Sequence, residues 1–333
     1  MSRRKYLTWE NVALSLTISH TLSLSYQHPH THTTTTHRYM NKARVLKHQN
    51  KLEDAADVMD QARTLDLQDR FVNCKAVKYF LRANKPKRAK EVATLFLVDE
   101  KGEIKRTMED MQTYWFETEA GESYMRLGKY GKALKYFCTA LSHFEDIKND
   151  QFDFHQYCMR KVTMRAWVRM LRLADNGLKS HKFNLRASFG AIQCYIKLSE
   201  MKDIEKKEMF ERDREVDEKK KKKKKNKEDE NGKVDEDPHG EKLASVKSPL
   251  DEAWNNVMTM NKFAPLDVRT NIAAFEVSIR QKRFLVALRS LSRMSQDEVS
   301  KRKDTFLGAL QSAKFDNATV KSVVDQEVKR IFS

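Results

Sequence analysis

The sequence predicts an all-α fold, a superhelical stack of paired helices, and three observations carry that expectation. The first is the stretch from Gly121 to Phe144, GESYMRLGKYGKALKYFCTALSHF. Gly121 and Tyr124, then Gly128 and Tyr130, then Ala133, Phe137 and Ala140 follow the order small residue, aromatic, tight turn and A-x3-F that marks the tetratricopeptide repeat. Small residues let two helices cross closely and aromatics fill the grooves beside the crossing. A glycine at the end of the first helix lets the chain reverse. The second observation is a period. Ala55 and Ala89 stand 34 residues apart, the repeat length of this class. Ala89 and Ala133 stand 44 apart, and the polar stretch 99–110 absorbs the extra ten as a loop or an added turn. The third is composition. Only 9 Gly and 5 Pro occur among 333 residues that are 40% hydrophobic, which suits long helices with short turns and argues against a sandwich or barrel. One hairpin cannot bury its own apolar face, so the pairs must stack.

Taken in order, residues 1–38 read as a disordered low-complexity tail. Arg3, Arg4 and Lys5 precede a weakly apolar stretch that lacks the clean core and cleavage site of a signal peptide. His28, His30, His32 and His37 follow in a Thr-rich run that reads as compositional bias rather than a metal site. Residues 39–201 read as the helical array. Ala43, Leu46, Leu52, Ala55, Met59 and Ala62 fit two helices with the turn at Gln49-Asn50. Val77, Phe80, Asn84, Ala89 and Phe96 repeat the pattern, with Pro86 suited to the first turn of the return helix. Residues 151–174 read as a separate long helix with Tyr157, Met164, Val168 and Leu171 as its buried stripe, and Asp150 and Asp153 at its start. Its partner runs from Ser180 to Leu198, with Ser180 or Asn184 as cap and Phe189, Ile192, Tyr195 and Ile196 inward. Residues 202–241 are almost all charged and read as a disordered linker or a solvated helix extension. Residues 242–333 form a second tetratricopeptide-like segment. Its helices start at Pro249, with Trp254, Val257 and Met258 inward, pair across 272–294, and close with Thr319 to Ile331.

The formal net charge of +17 is unevenly placed. Residues 39–204 carry +9 and 242–333 carry +6, whereas 205–241, which contain the run Lys219–Lys225, carry −1. The helical segments therefore make the protein basic, and a basic helical surface calls for an anionic partner. Acids flanking the lysine run screen it, which weakens a nucleic-acid or nuclear-targeting reading led by that run. Cys74, Cys138, Cys158 and Cys194 are far apart, each in an apolar helical context, and read as buried reduced thiols of a cytosolic or nuclear protein. No run of about 18 apolar residues is present, so no membrane partner is expected.

Nothing in the sequence resembles a reaction centre. Gly121, Gly128 and Gly131 belong to a repeat turn, not to a phosphate-cradling loop before a helix. No P-loop, hydrolase triad or metalloprotease spacing occurs, and His143, His155 and His181 are single histidines on helices. The strongest binding candidate is Lys75, Lys78, Tyr79 and Arg82. Their spacing of i, i+3, i+4, i+7 places three cations and a phenol on one helical face, where a polyanion would take charge-assisted hydrogen bonds. A solvated basic face is the plain alternative; Lys47 and Arg70 could contribute from neighbouring positions. A second, more diffuse candidate is the shared face of Arg165, Arg169 and Arg172, with Lys132, Lys135, Arg160 and Lys161 nearby in sequence, for RNA or an acidic partner helix.

Three stretches carry a family resemblance: Lys42 to Phe80, DQFDFHQYCMRK at Asp150 to Lys161, and EKLASVKSPLDEA at Glu241 to Ala253. They resemble the large auxiliary subunit of the N-terminal acetyltransferase A complex, over about residues 39–333 and only the middle and later part of that family's array, so the chain reads as a fragment. The resemblance implies a non-catalytic superhelix that wraps a catalytic acetyltransferase subunit, turns it toward small N-terminal residues of nascent chains, and helps hold it on the ribosome in the cytoplasm. It also implies an inositol polyphosphate, such as inositol hexakisphosphate, as structural glue. KAVKYFLRAN, which contains Lys75, Lys78, Tyr79 and Arg82, matches the stretch where the family's KCAKYxLKAN-like segment falls. The alternative from another class is a general peptide-binding adaptor of the same fold.

Overall fold

Left-handed turn residues set the spacing of the helices. In the computed structural model, which describes residues 32–95, 97, 108–161, 164–223, 237–312 and 318–332, Asn50, Asn84, Gly128 and Lys282 have φ of 62°, 56°, 72° and 59°. Five residues after each stands a fully buried alanine: Ala55, Ala89, Ala133 and Ala287. At three of these turns the residue after the left-handed one donates its N–H back over six residues. Lys51 N bonds Leu46 O at 3.0 Å, Lys85 N bonds Phe80 O at 2.8 Å and Arg283 N bonds Ser278 O at 2.8 Å. That is the Schellman closure, which satisfies a helix's last carbonyls while reversing the chain. The alanine then lies one turn into the return helix, where only a methyl group fits between two backbones. Gly128 serves the third turn without the left-handed penalty; Lys282, with a Cβ, bears it.

Among the described residues every regular element is helical, and the chain divides into two compact units at Leu127–Gly128. The first holds α1 (His32–His48), α2 (Leu52–Leu65), α3 (Arg70–Arg82), α4 (Pro86–Thr94) and α5 (Tyr114–Arg126). Consecutive helices from α1 to α4 pack side by side, and α5 packs on α3. Pro86 opens α4, where its missing N–H has no partner to lose. Arg126 at the end of α5 donates to Asn84 Oδ1 at 2.8 Å and Leu81 O at 2.9 Å, so it holds the left-handed turn after α3.

The second unit holds α6 (Tyr130–Lys161), α7 (Met164–Arg172), a π turn Leu173–Gly177 with one helical turn Leu178–Ser180, then α8 (Lys182–Glu200) and α9 (Asp203–Lys223). After these come α10 (Glu241–Ala244), α11 (Pro249–Phe263), α12 (Val268–Arg280), α13 (Phe284–Leu291), α14 (Gln296–Gln311) and α15 (Ala318–Phe332). Helix α8 lies between α6 and α11, and α12 touches α8, α11 and α13. Phe306 of α14 is the centre of the C-terminal core, with ring centroids 6.2 Å from Phe284, 6.5 Å from Phe275 and 6.0 Å from Phe332. One device recurs in both units. Asp69 caps α3 and Asp267 caps α12, and four residues on Asn73 and Asn271 are buried and donate back to the loop carbonyls of Leu67 and Asp69, and of Pro265 and Asp267.

The structure differs from the sequence expectations at several points. The predicted tail 1–38 is helical from His32; Thr36 is buried seven residues before Ala43, so the helical stripe continues through a polar residue. Residues 1–31 lie outside the described residues. No glycine or proline interrupts 132–161, and α6 runs unbroken through the stretch predicted to begin a new helix. Asp150 and Asp153 are therefore interior to α6 and not at a helix start. Met164 is 65% exposed and no residue of α7 is buried, so of the expected stripe Tyr157, Met164, Val168, Leu171 the last three are only partly covered, and the side chain of Tyr157 lies outside the described residues. The cap of α8 is His181, whose Nδ1 accepts from Phe183 N, while Asn184 Nδ2 bonds Lys179 O from within the helix. Met258 is exposed; Ala253 and Met260 are buried beside Val257. Helix α14 was not expected. Cys74 is exposed, Cys138 half-buried and Cys194 buried; burial pushes the Cys138 thiol up to about 11 and Cys194 higher still.

The largest difference is the charged stretch 202–241. Met209, Phe210 and Asp213 of α9 are buried. Asp213 pairs with Lys129 at the foot of α6, and a Cβ on Gly131 would come within 2.6 Å of the Phe210 ring. Beyond the stretch, Lys135 donates to Asp237 O at 2.8 Å and the backbone of Gly240 sits against that of Gly131. Two apolar side chains and one paired acid suffice to dock a helix that composition alone reads as solvated. Of the lysine run, 219–223 extend α9, and 224–236 lie outside the described residues.

Two substitutions test this packing. A Cβ on Gly190 of α8 would sit 2.3 Å from the Phe137 ring of α6, which is fully buried. Gly190→Ala should cost about 1–3 kcal/mol by overpacking, and Phe137→Leu in the same chain should recover part of it; a urea-unfolding double-mutant cycle reads the coupling. Lys282→Gly should raise stability by about 0.5–1 kcal/mol because the left-handed penalty outweighs the added chain entropy. Thermal unfolding measures it.

Candidate functional site

Helix α3 faces α2, α4 and α5 with Val72, Ala76, Val77, Phe80 and Leu81. That fixes which way its other residues point. Lys75, Lys78 and Arg82 lie along one edge, as their spacing predicts, and the cations of α1 join them. Burial holds the Lys47 ammonium below its ordinary value, and the positive charges of Arg82, Arg44 and Lys75 push it further down. Lys78 is likewise held down, first by burial and then by Lys75. Five cations, Arg44, Lys47, Lys75, Lys78 and Arg82, therefore share one recess of the first unit. Glu119 of α5 is the carboxylate that acts on both Lys47 and Lys78. Arg70, at the far end of α3, is absent from the charges acting on either lysine.

The members are not equivalent. Arg82 forks onto Glu119, Nη2 to Oε1 at 2.9 Å and Nε to Oε2 at 3.3 Å, and Glu119 is 95% buried by side chain while Arg82 is about a third exposed. Arg82 thus neutralises a buried acid. Lys78 Nζ lies 4.6 Å from the Trp115 ring centroid and Lys75 Nζ 5.1 Å from that of Phe71. The aromatic faces hold both ammonium groups in place without using their hydrogen-bond donors. Tyr79 is only 9% exposed and burial raises its phenol, so it packs behind the recess more than it lines it. The arrangement gathers five cations against one carboxylate, about four net positive charges, with the exposed Cys74 beside Lys78.

Sequence reasoning found Lys75, Lys78 and Arg82, and named Lys47. It missed Arg44, three residues before Lys47 on α1, and it missed Glu119 and Trp115, which the fold brings to α3 from a different helix. The second candidate, Arg165, Arg169 and Arg172, is exposed along α7 in the second unit, with no ion pair among the described residues. Lys135 is engaged by Asp237 O, and the side chains of Arg160 and Lys161 lie outside the described residues. His143 is buried with Nδ1 3.7 Å from Asp146 Oδ2, and His181 is a helix cap, so both are structural.

Comparison with known proteins assigns the family. The profile of the N-terminal acetyltransferase A auxiliary subunit family matches residues 27–230 and 201–294. The chain is 36% identical over 281 residues to the N-terminal acetyltransferase A complex auxiliary subunit NAA15 of Arabidopsis thaliana, covering 77% of this chain and 31% of that protein. It is 37% identical over 286 residues to the human N-alpha-acetyltransferase 16, NatA auxiliary subunit, covering 76% and 33%. A solved structure of Naa15/Naa10 bound to HypK-THB superposes with a TM-score of 0.72 at 32% identity, over 96% of this chain and 43% of the solved one. The chain spans about a third of the length of the curated relatives it matches. The family profile covers most of the described helices of both units, and the chain belongs to the family of N-terminal acetyltransferase A auxiliary subunits.

Proposed function

We propose that this chain is a scaffold, without chemistry of its own, for a co-translational N-terminal acetyltransferase: it binds a small catalytic subunit, helps place it at the ribosome, and works in the cytoplasm. The observation that carries this reading is the family match across both helical units. A chain of net charge +17 and a cluster that gathers cations suit a part whose work is to hold other molecules. Among the described residues no helix is long and apolar enough to cross a membrane.

Within that role, the recess of Lys47, Lys75, Lys78 and Arg82, with Arg44, is a site for an inositol polyphosphate. Inositol hexakisphosphate carries phosphates around a small ring and matches a cluster of cations whose mutual repulsion an anion would relieve. The ligand would serve as structural glue, adding to stability by mass action. The exposed face of Arg165, Arg169 and Arg172 is the proposed contact for ribosomal RNA or an acidic helix, with affinity falling as salt rises.

Co-expression tests the scaffold role. The full chain and a small N-terminal acetyltransferase should co-elute on size exclusion, and the pair should acetylate Ser- and Ala-starting peptides faster than the enzyme alone. Separate elution with unchanged rates would sink it, and recovery of C-terminal peptide tails instead would favour the adaptor reading. The recess is tested by calorimetry with inositol hexakisphosphate. Lys75→Glu with Lys78→Glu should weaken binding about a hundredfold, two charge-assisted contacts at ~1.5 kcal/mol each, with the helical circular dichroism unchanged. Arg82→Glu is the wrong variant, because it strands Glu119 in the core at a cost of about 3 kcal/mol or more.

A further inference from the structure

A half-open groove of about 360 Å3 lies in the second unit between α8, α12 and α14. The partly exposed Ile279 forms its apolar floor over the buried Ile196 and Phe275, and Lys197, Arg280, Lys301 and Arg302 stand around it. The cations are paired at the two rims and not across the groove. Glu200 accepts from Lys197 Nζ at 2.9 Å and from Arg280 Nε and Nη2 at 3.0 and 2.6 Å on one side. Glu298 accepts from Lys301 Nζ at 2.7 Å and from Arg302 Nη1 on the other. Glu276, on the wall, is occupied by Gln193 Nε2 at 2.7 Å, and its carbonyl takes Arg280 Nη1 at 2.9 Å.

Donors remain. Arg302 gives Nη1 to the side chain and carbonyl of Glu298, and its Nε and Nη2 have no acceptor among the described residues, although the side chain is 83% buried. Each lysine ammonium makes one hydrogen bond of the three possible. Four cations against three carboxylates leave about one net positive charge. That is too little for a polyphosphate, which the recess in the first unit suits with about four. A bare inorganic anion would leave the apolar floor unused. We propose that this groove receives an acidic–apolar peptide segment of a partner protein, one Asp or Glu carboxylate on Arg302 and Lys301 with a neighbouring hydrophobic side chain laid on Ile279. A guanidinium presenting Nε and Nη2 side by side takes a carboxylate in fork geometry, and the mixed lining matches a short segment with one charge and one apolar anchor. The site rests on this geometry and does not depend on the acetyltransferase reading.

The probe is N-acetyl-Leu-Glu-Leu-amide, titrated into the full chain carrying 13C-labelled isoleucine δ1-methyl groups. The Ile279 and Ile196 methyl signals should shift and saturate, and N-acetyl-Leu-Gln-Leu-amide should bind about tenfold more weakly. Arg302→Gln should lose about tenfold in affinity for the Glu peptide, with unchanged circular dichroism because its partner Glu298 lies one turn away on the same helix and keeps Lys301. Lys301→Gln, on the exposed rim, should lose a smaller factor and serves if the first variant is unstable. Equal binding of the two peptides, no shift at millimolar peptide, or full affinity in both variants would overturn the proposal. So would tighter binding of inositol hexakisphosphate than of the Glu peptide at the same methyl groups.

Discussion

Two helices joined by three residues can lie side by side only where nothing larger than a methyl group stands between their backbones. Ala55, Ala89 and Ala287 occupy that point, each fully buried and each five residues after a left-handed turn residue, and Ala133 keeps the same spacing after Gly128. The two features need one another. The left-handed residue reverses the chain and aims the return helix at the one before it, and the alanine lets it approach. A bulkier side chain at that position would push the helices apart and open the aromatic packing beside it, where Phe80 and Phe137 are also buried. The fixed spacing between turn and alanine, more than any single contact, is what makes the array regular within each unit, and it decides which edge of α3 carries the cations.

That regularity explains what could be read in advance. The alanine period and the turns at Asn50, Asn84 and Gly128 are local signals, and so were the helices around them. The stripe Lys75, Lys78, Arg82 is also local, since helical spacing alone puts it on one face. What escaped was non-local. Glu119 and Trp115 join the recess only because α5 packs on α3. Helix α9 is almost entirely charged, yet Phe210 docks it because Gly131, far back in the sequence, leaves room for a ring. Met164, Val168 and Leu171 have the period of a buried stripe, but period says which residues share a face, not whether the chain supplies something to cover it. Helix α14 was missed because its apolar residues are few, though one of them, Phe306, is central to the C-terminal core.

The two cationic recesses differ in a way that composition hides. Both hold four or five cations. In the first unit one carboxylate, Glu119, answers them, and burial with mutual repulsion holds Lys47 and Lys78 down. Repulsion of that kind is stored unfavourable energy, which an arriving anion relieves. In the second unit each rim carries its own acid, and the arginine and lysine contacts hold Glu200 and Glu298 below the usual carboxylate range. There the cations are already satisfied in pairs and little repulsion is left to relieve. What remains is directional: unused N–H groups at fixed angles over an apolar floor. Unanswered net charge is what would suit a polyanion in the first case, and donor geometry is what would suit the proposed single carboxylate in the second.

The charged insertion obeys the same logic of local anchoring. On entry, Asp213 meets Lys129 and Phe210 fills the space above Gly131; on exit, Asp237 meets Lys135 and Gly240 lies against Gly131. Both ends are thus pinned to the first turns of α6, within a few residues of one glycine. The constraint falls on Gly131, not on the charges: a side chain there would displace the Phe210 ring and the His239–Gly240 backbone together, releasing both ends of the insertion at once.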